Sequence, residues 1–190
     1  MREADFLALS SRVLLIPQLD IRTFDILAHM DTEFLAKLNS FIGEASLKTY
    51  AGGGNEIANP SEKGFHELEY RSGDFYYKDS YSGHFQSWGR ETVWHKNKPI
   101  WSSLYGGGME KKFHGNVDFT HQTFNFLKKA MSAGEKQKEF QPRGPSEYEN
   151  DDWMYRVKWN GDISKFLGHE DILYKGEVVF THDFFGGFYI

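Results

Sequence analysis

The sequence predicts an α+β fold in which helices pack on one face of an antiparallel sheet. Three observations predict it. One aromatic-rich block is written twice, each copy alternates its side chains at the period of a strand, and each follows a stretch with helical period. Laid over one another, "YRSGDFYYKDSYSGHF" and "YENDDWMYRVKWNGDI" match Tyr70 to Tyr148, Asp74 to Asp152, Phe75 to Trp153, Tyr77 to Tyr155 and Gly83 to Gly161, at a constant offset of 78. After one added residue near Leu167 the offset becomes 79. Glu91 then meets Glu170, Trp94 meets Leu173, Trp101 meets Phe180 and Tyr105 meets Phe184. The expected arrangement is helix, strands, helix, strands, with pseudo-twofold symmetry between the halves.

In chain order, residues 1–29 read as an N-terminal extension, with Phe6, Leu9, Val13 and Ile16 at the spacing of a short helix before Pro17. Residues 30–190 read as a single duplicated domain, unit one 30–109 and unit two 118–190. The first helix lies in "MDTEFLAKLNSFIGEAS". Phe34, Leu38, Phe41, Ile42 and Ala45 form its apolar stripe, and Asp31 is a plausible cap. Strands follow near 66–71, 75–82, 91–95 and 99–105. The second helix lies in "DFTHQTFNFLKKAMSAG", with Phe124, Leu127 and Met131 as its stripe, Asp118 or Thr120 as its cap and Gly134 at its end. Strands then recur near 147–149, 153–160, 170–174 and 177–185. Ser82-Gly83 and Asn160-Gly161 suit tight hairpins, and Asn97 and Gly176 suit left-handed turn positions.

Composition narrows the function classes. The 190 residues are 39% hydrophobic and 17% aromatic, enough for one core with ring-lined surfaces. A formal charge of −5 argues against direct nucleic-acid binding. The local basic stretch Lys128, Lys129, Lys136, Lys138 and Arg143 reads as a solvated helix end and loop. The absence of cysteine excludes disulfides, thiol nucleophiles and cysteine zinc sites. No apolar run is long enough for a membrane span, and the start does not have the pattern of a secretory signal, so a cytoplasmic protein is expected. No histidine lies in tight metal-ligand spacing: His114 and His121 are seven apart with Asp118 between them. No metal or cofactor is therefore expected.

The segments "TYAGGG", "ELEYRSGDFYYKDSYSG", "GRETVWHKNKPIWSSLYGG", "RGPSEYENDDWMYRVKWNGD" and "EDILYKGEVVF" resemble an uncharacterised bacterial domain family, one of the domains of unknown function. The resemblance runs from about Met30 to the C-terminus. That family occurs alone or behind Xre-type helix-turn-helix domains in transcriptional regulators, which implies a regulatory or sensing role. It supplies no catalytic residues to carry over. Residues 1–29 are too few for a helix-turn-helix domain, and a physiological start at Met30 is the alternative to a short native helix.

"YAGGGNEIANPSEKG" fails the phosphate-loop test, because no lysine follows the last glycine of the run and the segment leads from helix to strand. It makes the first helix-to-strand link about ten residues longer than usual, so Gly52, Gly53 and Gly54 are candidates for close backbone approach to a ligand. A plain link is the alternative, partly fixed around Pro60. Alternation sets Phe75, Tyr77, Asp79 and Tyr81 on one face, where the second copy has Trp153, Tyr155, Val157 and Trp159. Asp79 thus stands among rings in place of a valine, and must be hydrogen-bonded, paired or protonated. The simpler expectation is a partly exposed Asp79 satisfied by a tyrosine or a backbone amide. In the last strand of each unit, Trp101, Ser103 and Tyr105 share a face, and their twins are Phe180, His182 and Phe184. His182 could serve as an acid–base or ligand group, although a bond to a backbone carbonyl is commoner. Glu91 and Glu170 sit just before predicted strands, where the exposed edge of a turn is the simpler placement.

The sequence favours a non-enzymatic binding domain for a small molecule or peptide, using Gly52–Gly54, Tyr77, Asp79, Tyr81, Trp94, Trp101, Tyr105 and His182. One rival is a hydrolase or isomerase using Asp79, Glu91 or His182, which requires those groups to converge. Another is a protein–protein interaction module pairing through an exposed sheet edge.

Overall fold

A computed structural model describes residues 32–134 and 139–189. Asp31, Lys136, Lys138 and the 1–29 extension lie outside the described residues. Helix α1 (Thr32–Lys48) is followed by β1 (His66–Ser72), β2 (Phe75–Gly83), β3 (Gln86–His95) and β4 (Lys98–Met109). A short 3-10 turn (Lys111–Phe113) leads to α2 (Val117–Ser132), and then to β5 (Glu147–Asn150), β6 (Trp153–Asp162), β7 (Lys165–Tyr174) and β8 (Glu177–Phe188). All eight strands form one open antiparallel sheet in the order β1-β2-β3-β4-β8-β7-β6-β5. The α+β expectation holds.

Each consecutive pair of strands within a run of four is joined by two residues: Gly73-Asp74, His84-Phe85 and Lys96-Asn97, then Asp151-Asp152, Ile163-Ser164 and Lys175-Gly176. Lys96 and Asn97 have φ of 50° and 64°, and Lys175 and Gly176 have 52° and 81°, the double left-handed geometry whose twist matches that of the strands. Ser82-Gly83 and Asn160-Gly161, however, are not the turns. Gly83 and Gly161 lie in the strands, two residues ahead of Phe85 and Ile163, with φ of 117° and 96°. The true loops close later than the sequence suggests. Strands β3 and β7 therefore start at Gln86 and Lys165, five residues before the expected 91 and 170.

The predicted stripe of α1 is buried at Leu38, Phe41, Ile42 and Ala45. Its Phe41 stacks on Phe75 with ring centroids 5.0 Å apart, while Phe126 of α2 stacks on Trp153 at 5.4 Å. The stripe of α2 differs from expectation. Thr120, Thr123, Phe126, Leu127 and Ala130 are buried, and Phe124 and Met131 are only half-buried. The cap of α2 is Asn116, whose side chain accepts from the Phe119 N–H at 3.1 Å, rather than Asp118 or Thr120. The helices share one core cluster with the inward side chains Tyr77, Val93, Trp101, Tyr155, Ile172 and Phe180. Burying each large apolar side chain contributes about 1.5–3 kcal/mol. Among the described residues, no helix is long and apolar enough to cross a membrane.

Candidate functional site

The inward face of β2 carries Tyr77 and Asp79, both buried. The antiparallel register sets Asp79 opposite Glu91 of β3, and Glu91 opposite Ser103 of β4. Tyr105, two residues along β4, pairs with Gly89 of β3. A Cβ at Gly89 would stand 2.4 Å from the Tyr105 ring. The missing side chain lets the tyrosine lie across β3 and donate its hydroxyl to Asp79 Oδ1 on β2 at 2.8 Å. A similar ring-over-glycine contact occurs between β7 and β8. Phe184 lies over Gly168, where a Cβ would be 2.4 Å from the ring, and Val157, which the sequence aligns with Asp79, is buried.

Beside this pair, the link after α2 drives Arg143 into the interior. Its side chain is 4% exposed, contrary to the expectation of a solvated loop residue. Arg143 Nε and Nη2 donate to Glu170 Oε1 at 3.1 and 2.8 Å, and Nη1 lies 3.7 Å from Glu91 Oε1. Glu170 also accepts from the Tyr155 hydroxyl at 2.7 Å and lies 3.0 Å from His182 Nδ1. Glu91 and Glu170 are thus buried in mid-strand, not at an exposed turn edge, because β3 and β7 begin earlier than predicted. His182 meets a carboxylate rather than a backbone carbonyl.

Burial alone would raise the Glu170 pKa, but the Arg143 charge, His182 and their hydrogen bonds hold it well below the usual carboxylate range. Glu91 goes the other way. Burial pushes it up, and Arg143 and the Tyr77 hydroxyl oppose this only in part. Asp79 is raised to about 7, first by burial and then by the Glu91 charge, against the Tyr105 hydrogen bond. Burial also lowers the His182 pKa despite Glu170, so the ring is neutral at pH 7. Its Nδ1–H then donates to the ionised Glu170, which leaves Nε2 as an acceptor. Nε2 is buried and has no partner.

These groups line a cavity of about 410 Å³ between the sheet and the helices. Tyr77, Asp79, Glu91, Tyr105, Arg143 and His182 supply its polar wall, while Tyr50, Tyr81 and Phe124 add rings and Leu127 and Met131 add aliphatic surface. Exposed His84, His121 and Asn125 line it where it meets solvent. Of the residues singled out from sequence, Tyr77, Asp79, Tyr81, Tyr105 and His182 therefore come together, with Glu91 beside them. Asp79 is satisfied by a tyrosine, as expected, but is only 2% exposed.

The family model described as "Domain of unknown function (DUF5680)" matches the chain over residues 79–189. The chain belongs to that family. The DUF5680 match begins at Asp79 and takes in β3 to β8, Arg143, Glu170 and His182. No curated protein and no solved structure matches the chain. The DUF5680 region excludes the glycine run, and Gly52–Gly54 do not line the cavity. They curl the chain off the end of α1: Gly54 N–H donates to Thr49 O at 2.7 Å, and a Cβ on Gly52 would stand 1.8 Å from Leu47 O. The rest of that link is anchored by Glu67, which takes bonds from the Ser61 N–H, the Ser61 hydroxyl and Lys78 at 2.7–2.9 Å. Trp94 packs on Tyr76, away from the cavity, and Trp101 is core, its indole N–H donating to Ile163 O at 3.0 Å. Sequence reasoning missed Tyr50 and Arg143. The Arg-Gly-Pro following a helix was the available signal for Arg143, since a lone cation beside turn residues fits an inserted loop as well as a solvated one.

Proposed function

We propose that this DUF5680 chain is a binding domain whose ligand is a small molecule held in the cavity between sheet and helices. The observation that carries the reading is the Tyr105–Asp79 pair, buried and facing a ring-lined space of about 410 Å³, a size that suits a small ligand. A buried acid with a pKa near 7 costs stability, and such costs concentrate where they serve a site. We also infer that the chain is a duplication of one helix-plus-four-strand unit, in which the second copy keeps the scaffold and the first carries the site. The strand order, read from either edge, and the paired ring-over-glycine contacts support this. The resemblance to domains fused to Xre-type helix-turn-helix modules makes a bacterial, cytoplasmic sensor of a metabolite the corresponding biological role.

The test exchanges the first copy's chemistry for the second's. The double variant Asp79→Val/Tyr105→Phe removes both polar partners together, which leaves no orphaned group, so folding is expected to be kept or improved. Metabolite binding, found by native mass spectrometry on the unmodified chain, is expected to be lost. A ligand bound equally by both proteins would place recognition elsewhere.

A second reading is favoured by convergence. Asp79 and Glu91 are cross-strand neighbours with Tyr77, Tyr105 and His182 lining the same cavity, an arrangement that could run acid–base chemistry of the hydrolase or isomerase type. Chemical change of the bound ligand by the unmodified chain, abolished by Glu91→Gln at saturating ligand, would establish it.

A further inference from the structure

Resting on the small-molecule reading above, we infer that the ligand carries an ammonium or comparable organic cation, seated against the Asp79 and Glu91 carboxyls and His182 Nε2. Three carboxyls, Asp79, Glu91 and Glu170, share one interior guanidinium. Arg143 is committed to Glu170 by two hydrogen bonds and stands 3.7 Å from Glu91, beyond hydrogen-bonding range. The cavity wall is correspondingly rich in acceptors. Glu91 and Asp79 lie opposite one another on adjacent strands, where side chains start about 5 Å apart. Tyr105 spends its proton on Asp79.

The independent observation is His182. Only 3% exposed, it lines the cavity, and its Nε2 has no hydrogen-bond partner. With Nδ1 bonded to an ionised Glu170, Nε2 can only accept while the ring is neutral. A wall offering two carboxyls and an imidazole lone pair matches a group with several N–H donors and positive charge. An anion would meet Glu91 and a lone pair, and an alcohol could satisfy only one or two of these acceptors. The tyrosine rings at positions 77, 81 and 105 add faces that attract a cation. Two tyrosine rings of the wall already face cations: the Arg143 guanidinium lies 5.1 Å from the Tyr105 ring centre, and Lys128 Nζ from α2 lies 4.9 Å from that of Tyr50. Lys128 and the histidines 66, 84 and 121 are the remaining basic groups along the wall. His66 is held by Glu56 at 2.7 Å, and His121 stands against His84 with ring centres 5.8 Å apart.

The test uses three probes of one shape on the full chain: 2-phenylethylammonium, its neutral isostere 2-phenylethanol and the anion 3-phenylpropionate. Each is titrated to millimolar concentration, following the backbone amides of Ser87, Gly83 and Asn125 by NMR. The ammonium is expected to bind at least about tenfold tighter than either isostere. Glu91→Gln and Asp79→Asn are each expected to reduce that preference. If an isostere moves the same amides with equal or higher affinity, the cation inference falls and the small-molecule reading stands. If none of the three moves them, both fall. Two variants guard against one failing to fold, and the comparison among probes on the unmodified chain needs neither.

Discussion

Tyr105 reaches Asp79 across a strand on which Gly89 offers no side chain, and that contact holds an ionisable group out of water. The pH dependence of stability follows from it. Burial, and then the Glu91 charge, lift the Asp79 pKa from 3.8 to about 7. Between those values the folded chain holds a proton that the unfolded chain has lost, so this group's contribution to stability falls as pH rises through that window and levels off above it. Glu91, Tyr77, Tyr105 and Arg143 face Asp79 and act on this titration. Asp79→Asn cannot ionise but still accepts from Tyr105. In urea unfolding its stability advantage over the parent is expected to be larger near pH 8 than near pH 5 by on the order of 3 kcal/mol. A pH-independent difference would mean that Asp79 does not titrate there. Asp79 was legible in the sequence because it breaks an apolar alternation that Val157 keeps at the aligned position. Arg143 was not, since its burial depends on Glu91 and Glu170, which are distant in sequence and carry no local mark.

Elements were legible where period and turn chemistry agree, and misread where a turn residue serves inside a strand. Asn97 and Gly176 fix two hairpins at the expected places. Gly83 and Gly161 looked like turns but relax the strand just before one, which shortened β3 and β7 on paper and pushed Glu91 and Glu170 to imagined edges. The start of α2 went wrong for a similar reason. Three residues near it have capping side chains, and only their hydrogen bonds separate them: Asn116 accepts from the Phe119 N–H, whereas the Thr120 hydroxyl donates back to the Asn116 carbonyl at 2.8 Å. Asn116→Ala is therefore expected to cost about 1 kcal/mol in thermal unfolding, and Asp118→Ala a smaller amount. An equal loss for the two would remove Asn116 as the cap.

Across the whole molecule, Arg143 joins strands from opposite sides of the sheet centre, since Glu91 lies on β3 and Glu170 on β7. Removing the cation leaves interior carboxylates without compensation, so Arg143→Ala is expected to destabilise by about 3–5 kcal/mol. Adding Glu170→Gln should restore part of that, read as a shift in urea midpoint, and no recovery would show that the pairing is not the cause. Of the seven strand pairings, six close over two-residue loops, and only the junction of β4 with β8 joins distant sequence, with Tyr105 opposite Phe184. Nearly all the loop-closure entropy of the sheet is concentrated in that one junction. Folding kinetics should then have two tempos, quick zippering of each four-stranded run followed by a slower meeting of the two. Mutational φ-values are expected to be near zero at Leu104 and Phe185 and higher at the hairpins; high values at the junction would mean that the runs assemble together from the outset.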